Sequence, residues 1–344
     1  AASDVYKRQT YMFAFLISGI ILYISGRRKT YPATGWLLVI ATIIFFTILG
    51  NKLFTALPGE WEELFTSLNL PQSGRKSVLG GIAGLFIGLL IIKYFLRIRV
   101  PIAYHIAYLV PVTIGIAMIG CLLNGCCHGL PTQLPWGIKY GQGTHAFMLH
   151  QSKGFIATGS DLSLPVHPTQ VYDILICIAV VFLVWVTRNY WKVKGNRLMF
   201  AVLAYGTLRF FEEFFRDSGH LPVVGDYFWG MKIVQWIILT GVLIVALYLA
   251  LSEYNANSKH TCHKPFKIHP FRGSLILGFI WLIILFNIYW YTYFELLTLL
   301  FFLVPATVNY LLRLYRHLTI KELQKALPVF ILIMIVIMGQ SYIP

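Results

Sequence analysis

The stretch that decides the fold is YMFAFLISGIILYISGRRK, residues 11–29, an uncharged and mostly apolar run followed at once by three basic residues. A helix that crosses a hydrocarbon core about 30 Å thick needs about 20 predominantly apolar residues. Within lipid, a segment must satisfy its backbone hydrogen bonds internally, as a helix does. The sequence therefore predicts a membrane-spanning helix here.

Similar runs recur along the whole chain. Apolar residues make up 58% of the sequence and charged residues 12%, and the mean hydropathy is +0.70. These values lie outside the usual balance of soluble proteins. We predict an all-α, polytopic integral membrane protein with a seven-helix core plus two or three additional C-terminal transmembrane helices. Core spans are predicted to begin near Tyr11, Trp36, Ser77, Pro101, Val171, Leu198 and Met231, and further apolar runs near Ser274, Tyr291 and Pro328.

The chain divides into three predicted parts. Residues 1–10 form an atypical or incomplete amino terminus, because the chain opens with Ala1 and has no apolar stretch before Gln9. Residues 11–252 form the seven-helix core, with an outer loop at 122–170. Residues 253–344 contain a cytoplasmic loop and the additional C-terminal transmembrane segments.

Basic residues indicate the orientation, since Lys and Arg accumulate in cytoplasmic loops. They follow the first, third, fifth and seventh predicted spans, so the amino terminus is predicted to lie outside. The formal charge of +15 then marks topology, and we expect no nucleic-acid partner. The basic residues are Arg27, Arg28, Lys29, Lys93, Arg97, Arg99, Arg188, Lys192, Lys194, Arg197, Lys259, Lys264, Lys267 and Arg272.

An ionisable stripe lies in YGTLRFFEEFFR, residues 205–216. The spacing predicts that Tyr205, Arg209, Glu213 and Arg216 share one face of a helix. Ionisable residues within a membrane span indicate a functional site. The alternative interpretation is an Arg209–Glu213 pair that only locks helices together or snorkels to the interface.

Two glycine- and proline-rich stretches frame the outer loop: GCLLNGCCHGLPT at 120–132 and VHPTQVYD at 166–173. Such residues favour turns over a continuous span, and a loop of this length is rarely passive. A third candidate stretch, SVLGGIAG at 77–84, offers Gly80 and Gly81, for which close helix packing is the simpler explanation. The loop histidines that offer a base are His128, His145, His150 and His167.

The cysteines of the loop, Cys121, Cys126 and Cys127, allow three interpretations. They could form a disulfide from Cys121 to one of the other two, bind a metal ion, or act as a thiol nucleophile. Their spacing matches no familiar zinc pattern. We favour small buried residues or one disulfide, and we expect no metal ion.

Four motifs in order make the chain resemble the prolipoprotein diacylglyceryl transferase family over roughly residues 11–251. The chain differs from the family pattern at Leu79, Met118, Cys121 and Cys126, where the family has His, Arg, Asn and Glu, so it resembles a divergent, GCC-containing branch. The matching residues are Gly80, Gly81 and Gly84; Gly120, Asn124, Gly125, Gly129, Pro131 and Thr132; His167, Pro168, Gln170 and Tyr172; Tyr205, Gly206, Arg209, Glu213, Phe214 and Arg216; and Tyr11 in the first helix.

The resemblance implies transfer of a diacylglyceryl group from phosphatidylglycerol to a lipobox cysteine of a prolipoprotein signal peptide. It implies no cofactor, and a bacterial-type inner membrane location with the active site on the outer side. A relative using another acceptor, and a non-catalytic or transport-type protein on the same scaffold, are the alternatives. The implied residues are catalytic Arg209, Glu213, His167 and Tyr205; substrate-binding Arg216, Asn124, Gly129, Gln170, Gly80, Gly81 and Tyr11; and Cys121, Cys126 and Cys127 in a possible thiol role.

Overall fold

The computed structural model describes residues 2–55, 76–98, 100–157, 159–218, 225–256 and 268–317, and these residues are mostly helical. This confirms the prediction of an all-α polytopic membrane protein. The elements are α1 (Ala2–Arg28), α2 (Ala33–Leu53), α3 (Val78–Leu90, extended by a π-helical turn Ile91–Phe95), α4 (Ile102–Ile106), α5 (Leu109–Asn124), α6 (His145–Ser152), α7 (Thr169–Val186), α8 (Asn196–Glu212), β1 (Tyr227–Phe228), β2 (Met231–Lys232), α9 (Ile233–Tyr254), α10 (Pro270–Phe286) and α11 (Tyr293–His317).

Within the described residues, seven helical segments are long and apolar enough to cross a membrane. They include the spans predicted near Tyr11, Trp36, Ser77, Pro101, Val171, Met231 and Tyr291. Helix α8, predicted as a span near Leu198, is not one of the seven, because it has 17 residues and carries charges towards its end. Helix α10 is also a shorter apolar helix. The apolar run near Pro328 lies outside the described residues. Helix α1 already begins at Ala2, earlier than the span predicted near Tyr11.

The chain forms two compact units, of which the first comprises residues 1–22 and 101–262. Within it, α5 packs on α7, α7 on α8, and α8 on α9. Helix α1 packs on α5, where Ser18 Oγ and Thr113 Oγ1 lie 2.6 Å apart.

Helices α8 and α9 run antiparallel, and polar contacts join them at both ends. At the start of α8, Asn196 donates a 2.7 Å hydrogen bond to Glu253 near the end of α9. At the other end, Lys232 precedes α9 and its ammonium lies 3.7 Å from the Glu213 carboxylate. The charged end of α8 therefore lies beside the start of α9.

The second unit comprises residues 23–100 and 263–344, and its central feature is the close packing of α2 and α3. A Cβ atom at Gly84 would overlap the Phe46 carbonyl oxygen, and one at Gly80 would overlap the Gly50 carbonyl oxygen. A Cβ at Gly81 would meet nothing closer than 3.8 Å. Packing therefore requires glycine at 80 and 84 and not at 81.

Helix α11 packs on α2 in the same unit, and a buried ionic cluster accompanies this packing. The Glu295 carboxylate lies 2.7 Å from Lys76 Nζ and 3.4 Å from Lys52 Nζ. The Lys52 ammonium also lies 4.3 Å from the centroid of the Trp290 ring. These contacts tie a helix of the C-terminal segment to a helix of the predicted core.

Candidate functional site

A buried carboxylate, Asp173, is the centre of the ionic cluster in the first unit. It lies in the first turns of α7 and is fully buried. Arg209 Nε lies 3.8 Å from its Oδ1, and Arg216 Nη1 lies 3.6 Å from its Oδ2. Tyr205 donates a 3.3 Å hydrogen bond to Oδ1. Asp173 therefore pairs with two guanidinium groups, one at each carboxylate oxygen.

Two further carboxylates and one ammonium complete this ionic cluster. Arg209 Nη2 lies 2.7 Å from Glu213 Oε2, and the Arg209 guanidinium also pairs with Glu212. Lys232 Nζ lies 3.7 Å from Glu213 Oε1, and Ser218 donates a 2.8 Å hydrogen bond to the same oxygen. The carboxylates of Asp173, Glu212 and Glu213 balance the three cations, which limits the free-energy cost of burying them.

The prediction that Arg216 shares a helix face with Arg209 is wrong, because α8 ends at Glu212. Lys232 donates to the carbonyl oxygens of Glu213 (2.7 Å) and Arg216 (2.5 Å). A side-chain donor that satisfies carbonyls past the end of a helix stabilises the chain reversal there. Arg216 reaches Asp173 from this non-helical segment and not from a further helical turn.

The outer loop holds the Arg216 segment through backbone hydrogen bonds. Leu130 N–H donates to the Phe215 carbonyl at 2.8 Å, and Gly129 N–H donates to the His167 carbonyl at 2.9 Å. A Cβ at Gly129 would lie 2.5 Å from both the His167 Cβ and the Phe215 carbonyl oxygen. Only glycine fits where these three segments meet.

His167 has one ring nitrogen in contact with a tyrosine. Its Nδ1 lies 3.2 Å from the Tyr172 hydroxyl, and that hydroxyl accepts a 2.9 Å hydrogen bond from Trp136 Nε1. This contact fixes the orientation of the ring, and in the tautomer whose Nδ1–H donates to the hydroxyl, Nε2 is the acceptor nitrogen.

The three loop cysteines lie together at the end of α5. They are free thiols, and Cys121 Sγ lies 3.9 Å from Cys127 Sγ, so neither predicted disulfide is formed in the structure. The Tyr11 hydroxyl lies 3.8 Å from Cys121 Sγ. Thiol hydrogen bonds from Cys121 and Cys126, together with the Arg216 and Lys7 charges, hold the pKa of Cys127 well below its usual range.

Residues around the cysteines are buried and hold their backbone. Gln170 Nε2 donates to the Cys126 carbonyl at 2.6 Å, and Thr169 Oγ1 donates to the Cys127 carbonyl at 2.5 Å. Asn124 is buried at the last position of α5. Gln170 and Tyr11 therefore lie at the cysteine group, and Asn124 lies two positions before Cys126 in the chain.

Three more histidines lie next to one another in the loop. The ring centroid of His128 is 6.1 Å from that of His145 and 5.8 Å from that of His150. Burial lowers the pKa of His145 and of His150. Leu164 N–H donates to His150 Nδ1 at 3.2 Å, so this nitrogen of His150 is an acceptor.

The first unit thus brings together Tyr11, Asn124, Gly129, His167, Gln170, Tyr205, Arg209, Glu213, Arg216 and the cysteines, whereas Gly80 and Gly81 belong to the second unit. Sequence reasoning missed Asp173, Lys232 and Lys7. A signal for Asp173 was available, since it is the one acidic residue in the run from Val171 to Val186.

Fold and site together define a polytopic α-helical membrane protein with a buried, charge-balanced cluster of ionisable residues, which in a membrane protein indicates a candidate functional site. A sequence profile described as prolipoprotein diacylglyceryl transferase matches residues 9–251. The chain therefore belongs to the prolipoprotein diacylglyceryl transferase family, and it is a transferase.

Individual relatives agree at modest identity. The phosphatidylglycerol–prolipoprotein diacylglyceryl transferase of Bordetella bronchiseptica is 26% identical over 252 residues, which cover 70% of this chain and 89% of the relative. The enzyme of the same name from Bordetella avium is 25% identical over 67% of this chain and 84% of its own length. That from Nitrosomonas europaea is 30% identical over 59% of this chain and 67% of its own length.

Proposed function

We propose that this protein transfers the diacylglyceryl group of phosphatidylglycerol to the thiol of a lipobox cysteine in a prolipoprotein signal peptide. The observation that carries the proposal is the convergence of Arg209 and Arg216 on Asp173, at 3.8 and 3.6 Å. The names of the relatives, which include both substrates, support it.

The arginine pair suits the charge change of this reaction. The phosphodiester of phosphatidylglycerol carries one negative charge, and the released glycerol phosphate is a monoester that gains a second. Cations held in place before the reaction stabilise such developing charge more than they stabilise the ground state. In this proposal, Arg209 and Arg216 bind the phosphate, and Asp173, Glu213 and Tyr205 position them.

The acceptor side of the reaction requires a thiolate, since the thiol itself is a poor nucleophile. We assign the proton acceptor to His167 Nε2, in the tautomer whose Nδ1–H donates to the Tyr172 hydroxyl at 3.2 Å. The rest of the proposed substrate-binding site would be lined by Gly129, Asn124, Gln170 and Tyr11. Gly80 and Gly81 belong to the second unit, where packing explains Gly80 and not Gly81, and a substrate-binding role for them stays a prediction.

Rescue of depleted cells tests the function directly. Supplied to bacteria depleted of their own transferase, the wild-type chain is expected to restore lipid attachment to a reporter prolipoprotein, measured by its gel mobility and by radiolabelled lipid incorporation. A reporter whose lipobox cysteine is replaced by serine should gain no lipid. Failure of the wild-type chain despite correct membrane insertion would instead favour a relative acting on another acceptor, or a transport-type protein.

The orientation is a second part of the proposal: the amino terminus and the active site lie on the outer side of a bacterial inner membrane. The basic residues between α7 and α8, including Lys192, support a cytoplasmic position for that connection. In intact cells, a cysteine introduced by Lys192→Cys is expected to resist a membrane-impermeant maleimide and to react only after permeabilisation. Labelling of intact cells would contradict the orientation.

A further inference from the structure

The sulfur atoms of Cys121, Cys126 and Cys127 lie close enough together to be candidate ligands of one metal ion. All three lie within 4.8 Å of one another, and Cys121 Sγ and Cys127 Sγ are 3.9 Å apart. Zinc–sulfur bonds of about 2.3 Å place neighbouring sulfurs about 3.8–4.0 Å apart. The observed distance fits zinc coordination and is far longer than the about 2.0 Å of a disulfide bond.

The backbone is strained at one of the three cysteines. Cys127 has a φ of 60°, a left-handed conformation that non-glycine residues seldom adopt. Such strain costs about 1–3 kcal/mol and persists where surrounding contacts impose it. Here Thr169 and Gln170 impose it by donating to the carbonyls of Cys127 and Cys126. The unusual CxxxxCC spacing can therefore form one cluster.

The charges around the cluster favour a bound zinc thiolate. Three thiolates and one Zn²⁺ carry one net negative charge. The Lys7 ammonium interacts electrostatically with the three cysteines, and the Arg216 guanidinium interacts electrostatically with Cys127. Arg216 is already balanced by Asp173, so the Lys7 ammonium is the cation that offsets the remaining negative charge of the buried site.

We infer that Cys121, Cys126 and Cys127 bind Zn²⁺ as three thiolates and that the fourth position of the metal takes the acceptor thiol. This inference rests on the proposed function and deepens it. Catalytic zinc sites have three protein ligands and one open position. Cys121 and Cys126 are buried, and Cys127 is the partly exposed member of the group.

The resulting step balances without an oxidant or reductant. The acceptor thiol loses its proton on binding the metal, as coordinated thiols do, and the proton passes to His167. Its sulfur attacks the diacylglyceryl carbon bonded to the phosphate oxygen; the S–C bond forms, the C–O bond breaks, and glycerol phosphate leaves towards Arg209 and Arg216. One of the three ligands, Cys126, stands where the family pattern has Glu.

Metal binding is tested with the full-length chain purified in detergent. We expect about one zinc ion per chain after incubation with ZnCl₂ and dialysis, and CoCl₂ in its place should give thiolate-to-cobalt charge-transfer absorption. Cys121→Ser and Cys127→Ser should each weaken zinc binding by about 100-fold or more. Cys177→Ala, which removes a buried cysteine outside the cluster, should leave zinc binding unchanged. Size-exclusion profiles identify variants that fail to fold.

The role of the fourth position is tested with a lipobox peptide. Its addition to the cobalt-loaded protein should shift the visible cobalt bands, and the same peptide with serine in place of cysteine should not. Absence of bound zinc in the folded wild-type chain, or equal binding by Cys121→Ser, would overturn the metal site; an unshifted spectrum would overturn the thiol-binding role. Zinc and peptide binding without rescue of depleted cells would refute the proposed transfer and leave the metal site standing.

Discussion

Arg209→Ala is expected to abolish rescue of transferase-depleted cells by this protein. Removing one positioned donor that stabilises a developing oxyanion typically costs about 10²–10³-fold in rate, about 3–4 kcal/mol. Arg209 contacts Asp173, Glu212 and Glu213, so its loss also releases the groups that orient Arg216. Lipid attachment to a reporter prolipoprotein, at matched levels of membrane-inserted protein, is the measurement.

Two comparisons separate this effect from a general loss of folding. Arg209→Lys keeps the charge and loses the planar fork that bonds two carboxylates at once, so it should retain a small part of the rescue. Arg197→Ala changes an arginine in the first turn of the same helix, where it stacks on Tyr104 at 4.4 Å, and should rescue, as should Cys262→Ser, a position outside the described residues. Full rescue by Arg209→Ala would remove the arginine pair from the mechanism.

Glu295→Gln is expected to destabilise the second unit strongly. The Glu295 carboxylate is the partner of Lys52 and Lys76 at 3.4 and 2.7 Å, with only 9% of its side chain exposed. Removing one member of a buried ion cluster leaves uncompensated charge and costs about 3–5 kcal/mol. Thermal unfolding of the purified protein in detergent should show a clearly lower Tm.

A matched control removes charge from an exposed site of the same unit. Lys93 is exposed in the π-helical turn and lies over the Tyr94 ring, so Lys93→Gln should leave the Tm nearly unchanged. Replacing Lys52, Lys76 and Glu295 together by methionine should recover much of the stability, because no charge is then left unpaired. An unchanged Tm in Glu295→Gln would show that α11 is held by apolar packing alone.

This ionic cluster bears on the C-terminal segment. From the sequence, residues 253–344 had no assigned role and lay beyond the family match. The contacts of Glu295 with Lys52 and Lys76 favour a contribution of α11 to folding of the second unit. The division of the chain at residue 252 stays a prediction about the transferase core. In the structure, α10 and α11 belong to the same compact unit as α2 and α3.

The sequence indicated the residue types of the arginine site, but the helical spacing predicted the position of Arg216 wrongly. Tyr205, Arg209 and Glu213 follow helical spacing, and a contact such as Arg209–Glu213 at 2.7 Å is local. Arg216 is placed instead by Lys232, which captures carbonyls beyond the end of α8. That interaction joins residues 16 positions apart, so a helical periodicity argument could not find it.

Membrane residence, the helical class and most span positions were determined by the sequence alone. The physical reason is that the free energy of a span depends on the apolar content of its own residues, and its backbone hydrogen bonds are internal. The family motifs likewise identified the arginine-bearing segment. Only the tertiary structure decided that Asp173 joins Arg209 to Arg216, that three cysteines form one group, and that Gly80 and Gly81 lie in another unit. Ion pairs and sulfur clusters depend on distances between segments remote in sequence, which hydropathy and local spacing do not contain.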